Sequence, residues 1–411
     1  MLTTDRKLDR RITLEARSLC RHGYRVTIIS FPYSKACENY ENEPFEVICI
    51  GKDFKGFIDN PWEKISSFFL KPYQALESSN SYLTMARGRI KSIIKGYCLN
   101  LEKFYRNLFL QESLRAQGNV YHVHDLHPLP SGSIATRQLG AKLVYDCHEL
   151  FIEQEFNKKE RRKWSHIEQK YIYSVDRVIT INKSIARELQ KRYGIQLPAI
   201  IQNCESRAQR DKSIQSGKSI SLRRFVLTNE SKIVLYQGGL LPNRNIEVMI
   251  RSMNFVSNPH ITLVILGNGE LRAKLNKIVK KERLERRVLL VPAVSQDELI
   301  RITAFARVGV IPYQATCLNT YYCTPNKLYE FIAAGIPLLV NDLPELRNII
   351  TKYEIGWVAD LSTPERAAKA VNQIFSNDVE LEVRRKNSIK AFETLCWEEE
   401  EKKLLALYEQ L

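Results

Sequence analysis

A carboxylate placed one turn behind a free helix N-terminus can accept two hydrogen bonds from a vicinal diol while the N–H groups of that terminus receive an anion. The stretch from Asn319 to Leu346, NTYYCTPNKLYEFIAAGIPLLVNDLPEL, has this pattern, with Glu330 as the carboxylate. Thr324 is the expected N-cap, Pro325 the first helical residue and Gly335 the left-handed cap at the far end. Asn326 and Lys327 fall in the first turn, where a cation joins the positive end of the helix dipole and suits a diphosphate. The duller alternative for Glu330 is a solvated surface acid, but Leu328, Phe331 and Ile332 supply an apolar face around it.

Two more groups have chemical potential. In YQGGLLPNRN, Gly238 and Gly239 close a strand before a helix, so bare backbone can approach a phosphate, and Arg244 follows five residues after Gly239. The turn Gly267 to Gly269 (GNG) is a weaker signal of the same kind. In the N-terminal half, HVHDLH (His122 to His127) and YDCHE (Tyr145 to Glu149) sit at strand ends, and alternation puts His122 and His124 on one face. His and Asp at such spacing can bind zinc, yet the Asp stands one place too early for the well-known hydrolase pattern, so no metal is expected. Structural histidines are the plain alternative.

The elements that must position these residues follow from periodicity. Short apolar runs at YRVTIIS, FEVICI, NVYHVHD, AKLVYD and DRVITIN, then KIVLYQG, ITLVILG, VLLVPAV, VGVIPY and IPLLVN, read as buried parallel strands. Helical patterns alternate with them, including a charged helix over about Lys158 to Tyr171. Such alternation builds doubly wound α/β domains with ligands at the carboxyl ends of the strands. A stretch rich in Ser, Lys and Arg near Arg207 to Arg224 has little periodicity and reads as a linker.

The run PNKLYEFIAAGIPLLVNDLPEL resembles the donor-binding motif of family-4 (group 1) glycosyltransferases, which have the GT-B fold and use nucleotide sugars. Other segments resemble that family in its order: LDRRITLEARSLCRHGYRVTIIS, VYHVHDLHPLPSG, KLVYDCHELFIEQ, IVLYQGGLLPNRNIEVMIRSM and LVILGNGEL. The resemblance covers nearly all of the chain except about Pro32 to Gly118 and the linker. It implies two Rossmann-like domains facing across a cleft: an acceptor-binding domain over 1–205, a linker over 206–224, a nucleotide-sugar domain over 225–390, and a helix over 391–411 crossing back to the first domain.

The implied activity is retaining transfer of a sugar from a UDP- or GDP-linked donor to a hydroxyl of a glycan or lipid-linked acceptor, in surface polysaccharide or glycolipid synthesis, with no metal or other cofactor. Donor binding is expected from Gly238, Gly239, Arg244, Gly267, Asn326, Lys327 and Glu330, and acceptor contacts from His124, Asp125, Asp146, His148 and Glu149. His124, Asp125, Arg244 and Glu330 would lie nearest the chemistry. The chain departs from the family in three places. One of its pair of phosphate-neutralising cations falls on Gly239, its earlier acid falls on Tyr322 eight residues before Glu330, and its first strand has room only for a stub. These departures leave a non-catalytic member acting at a membrane surface or in an assembly as the alternative; an epimerase on the same fold is another.

Composition sets the limits. A chain of 411 residues fits two domains, and 44% apolar content allows both to pack. No apolar run approaches the roughly 18 to 20 residues of a membrane span and no secretory pattern opens the chain, so a cytoplasmic location is expected. Nine cysteines without a CxxC suggest reduced thiols. The net charge of +16 attracts phosphates or anionic lipid. Part of it lies on an expected basic amphipathic helix from Arg87 to Leu110, whose polar face suits an anionic membrane surface; no nucleic-acid reader motif is present.

Overall fold

A computed structural model of the chain describes residues 1–5, 8–31, 40–50, 101–215 and 232–411. They form two compact units. The first comprises Met1–His148 and Ser165–Val178 with Leu411, the second Glu149–Trp164 and Ile179–Gln410.

In the first unit, β1 (Thr27–Ser30) pairs in parallel with β2 (Glu46–Cys49), and β3 (Val120–His124) in parallel with β4 (Lys142–Cys147). Leu2 lies between the two pairs, bridged to Ile29 on one side and Val123 on the other. The short first strand is thus a single bridge residue at a central position, held by backbone bonds from Leu2 N to His122 O and from His124 N to Leu2 O. The helix Arg10–Arg21 begins at Asp9, whose carboxylate accepts the N–H of Arg11 and so satisfies one of the free donors of the first turn. Its apolar face, with Ile12, Ala16 and Leu19, is buried.

The second unit holds β5's last residues, Ile179 and Thr180 of Arg177–Thr180, paired with β6 (Ala199–Ile200). It also holds a six-stranded parallel sheet. Its strands are β7 (Lys232–Gln237), β8 (Ile261–Leu266), β9 (Val288–Val291), β10 (Val308–Ile311), β11 (Leu338–Asn341) and β12 (Gly356–Ala359), in the spatial order β12-β11-β10-β7-β8-β9. The order reverses between β7 and β10. At such a switch point the crossovers leave in opposite directions and open a crevice at the carboxyl ends of the two strands, which is where ligands of doubly wound sheets sit. The core is Val, Ile and Leu from both faces, as expected for strands covered by helices on two sides.

Three sequence expectations change. The helix expected at Thr324-Pro325 spans Asn326–Ala333 with Pro325 at the N-cap. Thr324 does not cap it, and its hydroxyl instead accepts from Asn182 Nδ2 at 3.3 Å. Gly335 does take the left-handed conformation, with φ +69°. The aperiodic stretch after residue 206 begins as a helix, Arg207–Gln215, because Glu398 accepts its first N–H and Ser206 Oγ accepts that of Gln209; residues 216–224 lie outside the described residues. Six cysteines are free thiols, but Cys49 is disulfide-bonded, against the expectation that all are reduced. Of the expected basic helix, residues 87–100 lie outside the described residues, and residues 101–110 fall within the helix Leu101–Ala116. No described helix is long and apolar enough to cross a membrane.

Candidate active site

The carboxyl ends of β7 and β10 and the helix Asn326–Ala333 bring the expected donor residues of the second unit together. Gly238 follows β7 with φ +113°, a conformation side chains resist, and a Cβ there would stand 3.2 Å from Lys327 Nζ. Gly267 packs backbone against backbone, since its Cβ would fall 1.9 Å from the carbonyl oxygen of Gly238. The structure therefore places Gly267 behind the Gly238 turn, as its support. The carbonyl of Gly239 accepts from Tyr236 Oη at 3.0 Å, which pins the second glycine.

Lys327 is 5% exposed and its ammonium makes no hydrogen bond in the described structure. It lies 3.9 Å from the Tyr236 ring centroid and 4.9 Å from that of Tyr313, while the Arg244 guanidinium lies 4.4 Å from the same Tyr313 ring. Aromatic faces offer both cations partial compensation. Burial, and then the neighbouring Arg244, lower the Lys327 pKa to about 7. Two cations beside bare backbone and a helix N-terminus are an arrangement that can receive an anion.

Glu330 is 9% exposed, one turn into the helix. Its Oε2 accepts from Gln237 Nε2 at 2.5 Å, and Gln237 Oε1 in turn faces Thr303 Oγ1 at 2.7 Å. Asn326 Oδ1 accepts from Asn203 Nδ2 at 3.0 Å, which holds the first turn. Tyr322, in place of the earlier acid, offers its carbonyl to Asn182 Nδ2 at 2.7 Å. Neither Gln237 nor Thr303 was anticipated. The available signal was a glutamine closing an otherwise apolar strand immediately before Gly238-Gly239.

In the first unit, His124, Asp125, Asp146 and His148 converge. His148 Nε2 lies 3.2 Å from both Asp146 Oδ2 and His124 Nδ1, and its Nδ1 lies 3.5 Å from Asp125 Oδ2. Asp125 adopts φ +64° at the end of β3, which turns its side chain back toward the N–H of His148. Burial alone would lower the pKa of His148, but Asp125 and Asp146 outweigh it and raise the value to about 10. His148 is therefore held as an imidazolium, with its Nε2–H facing Asp146 Oδ2 and His124 Nδ1. His124 is held neutral by burial, well below its ordinary value, and with Nδ1 accepting from His148 its proton belongs on Nε2. Glu149 belongs to the other unit, where its Oε2 accepts from Asn319 Nδ2 at 2.8 Å.

Behind this group lies an ion network missed at the sequence level. Arg11 forks onto Asp146, with Nε at 2.6 Å from Oδ2 and Nη2 at 2.9 Å from Oδ1, and its Nε is 3.0 Å from Glu15 Oε1. Against burial, Arg11 and then His148 hold the Asp146 carboxyl well below its usual range; burial drives Glu15 well above it. Glu15, His122, His124 and Asp146 have ligand atoms within 4.8 Å of one another, a set that by type could hold a metal ion. Arg11 already engages both oxygens of Asp146, so a second cation would meet a guanidinium. Asp5, also unanticipated, is raised to about 6 by burial and by Asp9 and Asp125.

Comparison with known proteins identifies the family and the fold. Residues 219–392 match the family described as glycosyl transferases group 1, and residues 87–204 match glycosyltransferase family 4. The chain belongs to the group 1, family-4 glycosyltransferases, and its fold is GT-B, with two Rossmann-like domains. An uncharacterised glycosyltransferase of Methanocaldococcus jannaschii is 26% identical over 275 residues, 63% of this chain; the match spans 66% of that relative, just under two thirds of its length. Among solved structures, Anabaena HepE in complex with UDP superposes with a TM-score of 0.70 at 12% identity, covering 100% of this chain and 99% of its own. Sucrose-phosphate synthase from Thermosynechococcus elongatus gives 0.68 at 14% identity, covering 97% and 92%. WaaG, a glycosyltransferase involved in lipopolysaccharide biosynthesis, gives 0.65 at 13% identity, covering 98% and 97%.

Proposed function

We propose that this protein is a retaining glycosyltransferase that moves a hexose-type sugar from a UDP- or GDP-linked donor to a hydroxyl of a glycan or lipid-linked acceptor, in surface polysaccharide or glycolipid synthesis. The observation that carries the donor half is the buried ammonium of Lys327, without a hydrogen-bond acceptor among the described residues, beside Arg244 and the Gly238 backbone. A leaving diphosphate develops negative charge as the glycosidic bond breaks, and preorganised cations in a water-poor site stabilise that charge without reorganising. Arg244, Lys327 and the helix N-terminus supply this in the absence of the family's usual cation at Gly239, so no metal ion is needed for it. The complexes of HepE with UDP and with UDP-glucose support a nucleotide-sugar donor.

In this scheme Glu330 accepts from a diol of the donor, and Asn326 fixes the first turn of its helix. The leaving phosphate takes the acceptor's proton on the face it vacates, which makes a strong protein base unnecessary. His124, Asp125 and His148, set by Asp146, orient the acceptor hydroxyl, which can donate to the Asp125 carboxylate. A cytoplasmic location, with the basic segment around Arg87 to Leu110 resting on an anionic membrane face, fits a lipid-linked acceptor.

Calorimetry with UDP, GDP and ADP, on the wild type and Glu330→Ala, tests the donor site. One nucleotide should bind selectively, and the substitution should weaken it by about 1 to 3 kcal/mol. Absence of binding by all three would remove the transferase assignment.

A further inference from the structure

We propose that Gln237, backed by Thr303, is a positioning residue for Glu330 that fixes the orientation in which the Glu330 carboxylate meets a vicinal diol of the donor. This rests on the donor-site reading above and adds the device that aims its acid.

Gln237 ends β7, whose preceding residues Ile233 to Tyr236 are apolar and buried, and it is itself 1% exposed. A primary amide at such a place costs stability unless both of its ends are hydrogen-bonded. Here both are, and by two different helices: Thr303 from Gln296–Thr303 and Glu330 from Asn326–Ala333.

The direction of the chain can be assigned. If the amide were flipped, its oxygen would face the Glu330 carboxylate at 2.5 Å, acceptor against acceptor. The nitrogen must therefore face Glu330. That leaves the amide oxygen toward Thr303, whose hydroxyl has a single proton and lies 2.7 Å from both Gln237 Oε1 and Leu299 O. Donation to Gln237 is the choice that satisfies the amide oxygen, and the bonds then run Thr303 to Gln237 to Glu330. A glutamate's terminal torsion is broad and two-fold, so an untethered carboxylate would sample many orientations. Tethering Oε2 selects one. A diol needs both of its hydroxyls met at fixed angles, whereas a phosphate seat built from cations tolerates rotation. Gln237 should therefore act on recognition of the diol and leave the phosphate contacts alone.

The test is a calorimetric comparison of three ligands: the nucleoside diphosphate that binds best, its 2′-deoxy form, and the corresponding nucleotide-glucose. The proteins are the wild type, Q237M, T303V, T303S and E330A, each checked for folding by thermal melting. If the diol is the ribose, the wild type prefers the nucleotide over its 2′-deoxy form by about tenfold. If it is on the sugar, the same gain appears between nucleotide and nucleotide-glucose. Q237M should shrink whichever gain is present to below about threefold while the other ligands bind as before. T303V should move the ratio the same way, and T303S should restore it.

A purely structural role would weaken all three ligands alike in Q237M, and that result overturns the proposal, as does an unchanged ratio in Q237M while E330A abolishes it. Should Q237M fail to fold, the T303V and T303S pair decides on the same ratios. An unchanged ratio in E330A itself, or no binding by the wild type, would instead sink the donor-site reading, and this inference with it.

Discussion

Lys327 has much to gain from an anion, because it is buried, lies beside Arg244 and makes no hydrogen bond among the described residues. Its pKa of about 7 means that near neutral pH a good part of the amine is uncharged in the free protein. A diphosphate favours the ammonium, so binding should take up a proton above pH 7. Affinity should then fall as pH rises from about 6 to 9, with Lys327→Met weakening binding and flattening the dependence. Calorimetry in buffers of different ionisation enthalpy reads the proton directly. The sign for stability is opposite: the unfolded lysine keeps its proton to about 10.5, so between that value and 7 the folded state binds fewer protons, and this residue's contribution to stability rises with pH. At this scale the sequence showed the residue types and hid the pairings. Glu330, Lys327 and the His124 and His148 motifs stood out because strand-end and helix-start positions are marked by local pattern. Arg11 did not, since it lies 135 residues from Asp146 and looks like an ordinary charge in RRITLEARSLCR. Only tertiary packing reveals that it is 2% exposed and forked onto a carboxylate.

The helix Asn326–Ala333 is the element on which the proposed donor site depends, and a close approach to the sheet sets its position. The Phe331 ring lies over Gly309 of β10 so tightly that a Cβ at Gly309 would come within 2.6 Å of it. Only a glycine lets the helix sit at this depth. Gly309→Ala should therefore destabilise the protein by about 1 to 3 kcal/mol, as overpacked cores do. It should also weaken nucleotide binding, because Phe331 and Glu330 move with the same helix. Urea denaturation and calorimetry check the two halves, and an unchanged nucleotide affinity in a destabilised variant would show that the depth of the helix does not matter to the site. Element boundaries explain what periodicity missed. The helix started after Thr324 because that hydroxyl is engaged by Asn182, a contact between residues far apart in sequence. Strands β6 and β12 escaped notice, the first being two residues long and the second opening on Gly356. The ten longer apolar runs all proved to be strands, most of them because burial on both faces writes a continuous signal into sequence.

Across the whole molecule, the charge of +16 bears on how an anionic donor arrives, separately from how it is held. A surplus of cations raises the local concentration of nucleotides and speeds encounter, and salt screens this effect within a Debye length of about 10 Å at 0.1 M and about 3 Å at 1 M. The Lys327 ammonium is buried, so a contact it makes with a phosphate is screened far less. The two contributions should therefore separate kinetically. Raising salt from about 50 to 500 mM should slow nucleotide association several-fold and leave dissociation nearly unchanged, as stopped-flow mixing would show. Should salt act mainly on dissociation, the cations at the switch point between β7 and β10 would be solvated, and the preorganised stabilisation assigned to Lys327 and Arg244 would lose its basis. Composition alone gave the sign of this field, but not its division between encounter and holding. That division depends on which of the 62 lysines and arginines are buried beside the strand ends, and folding decides it.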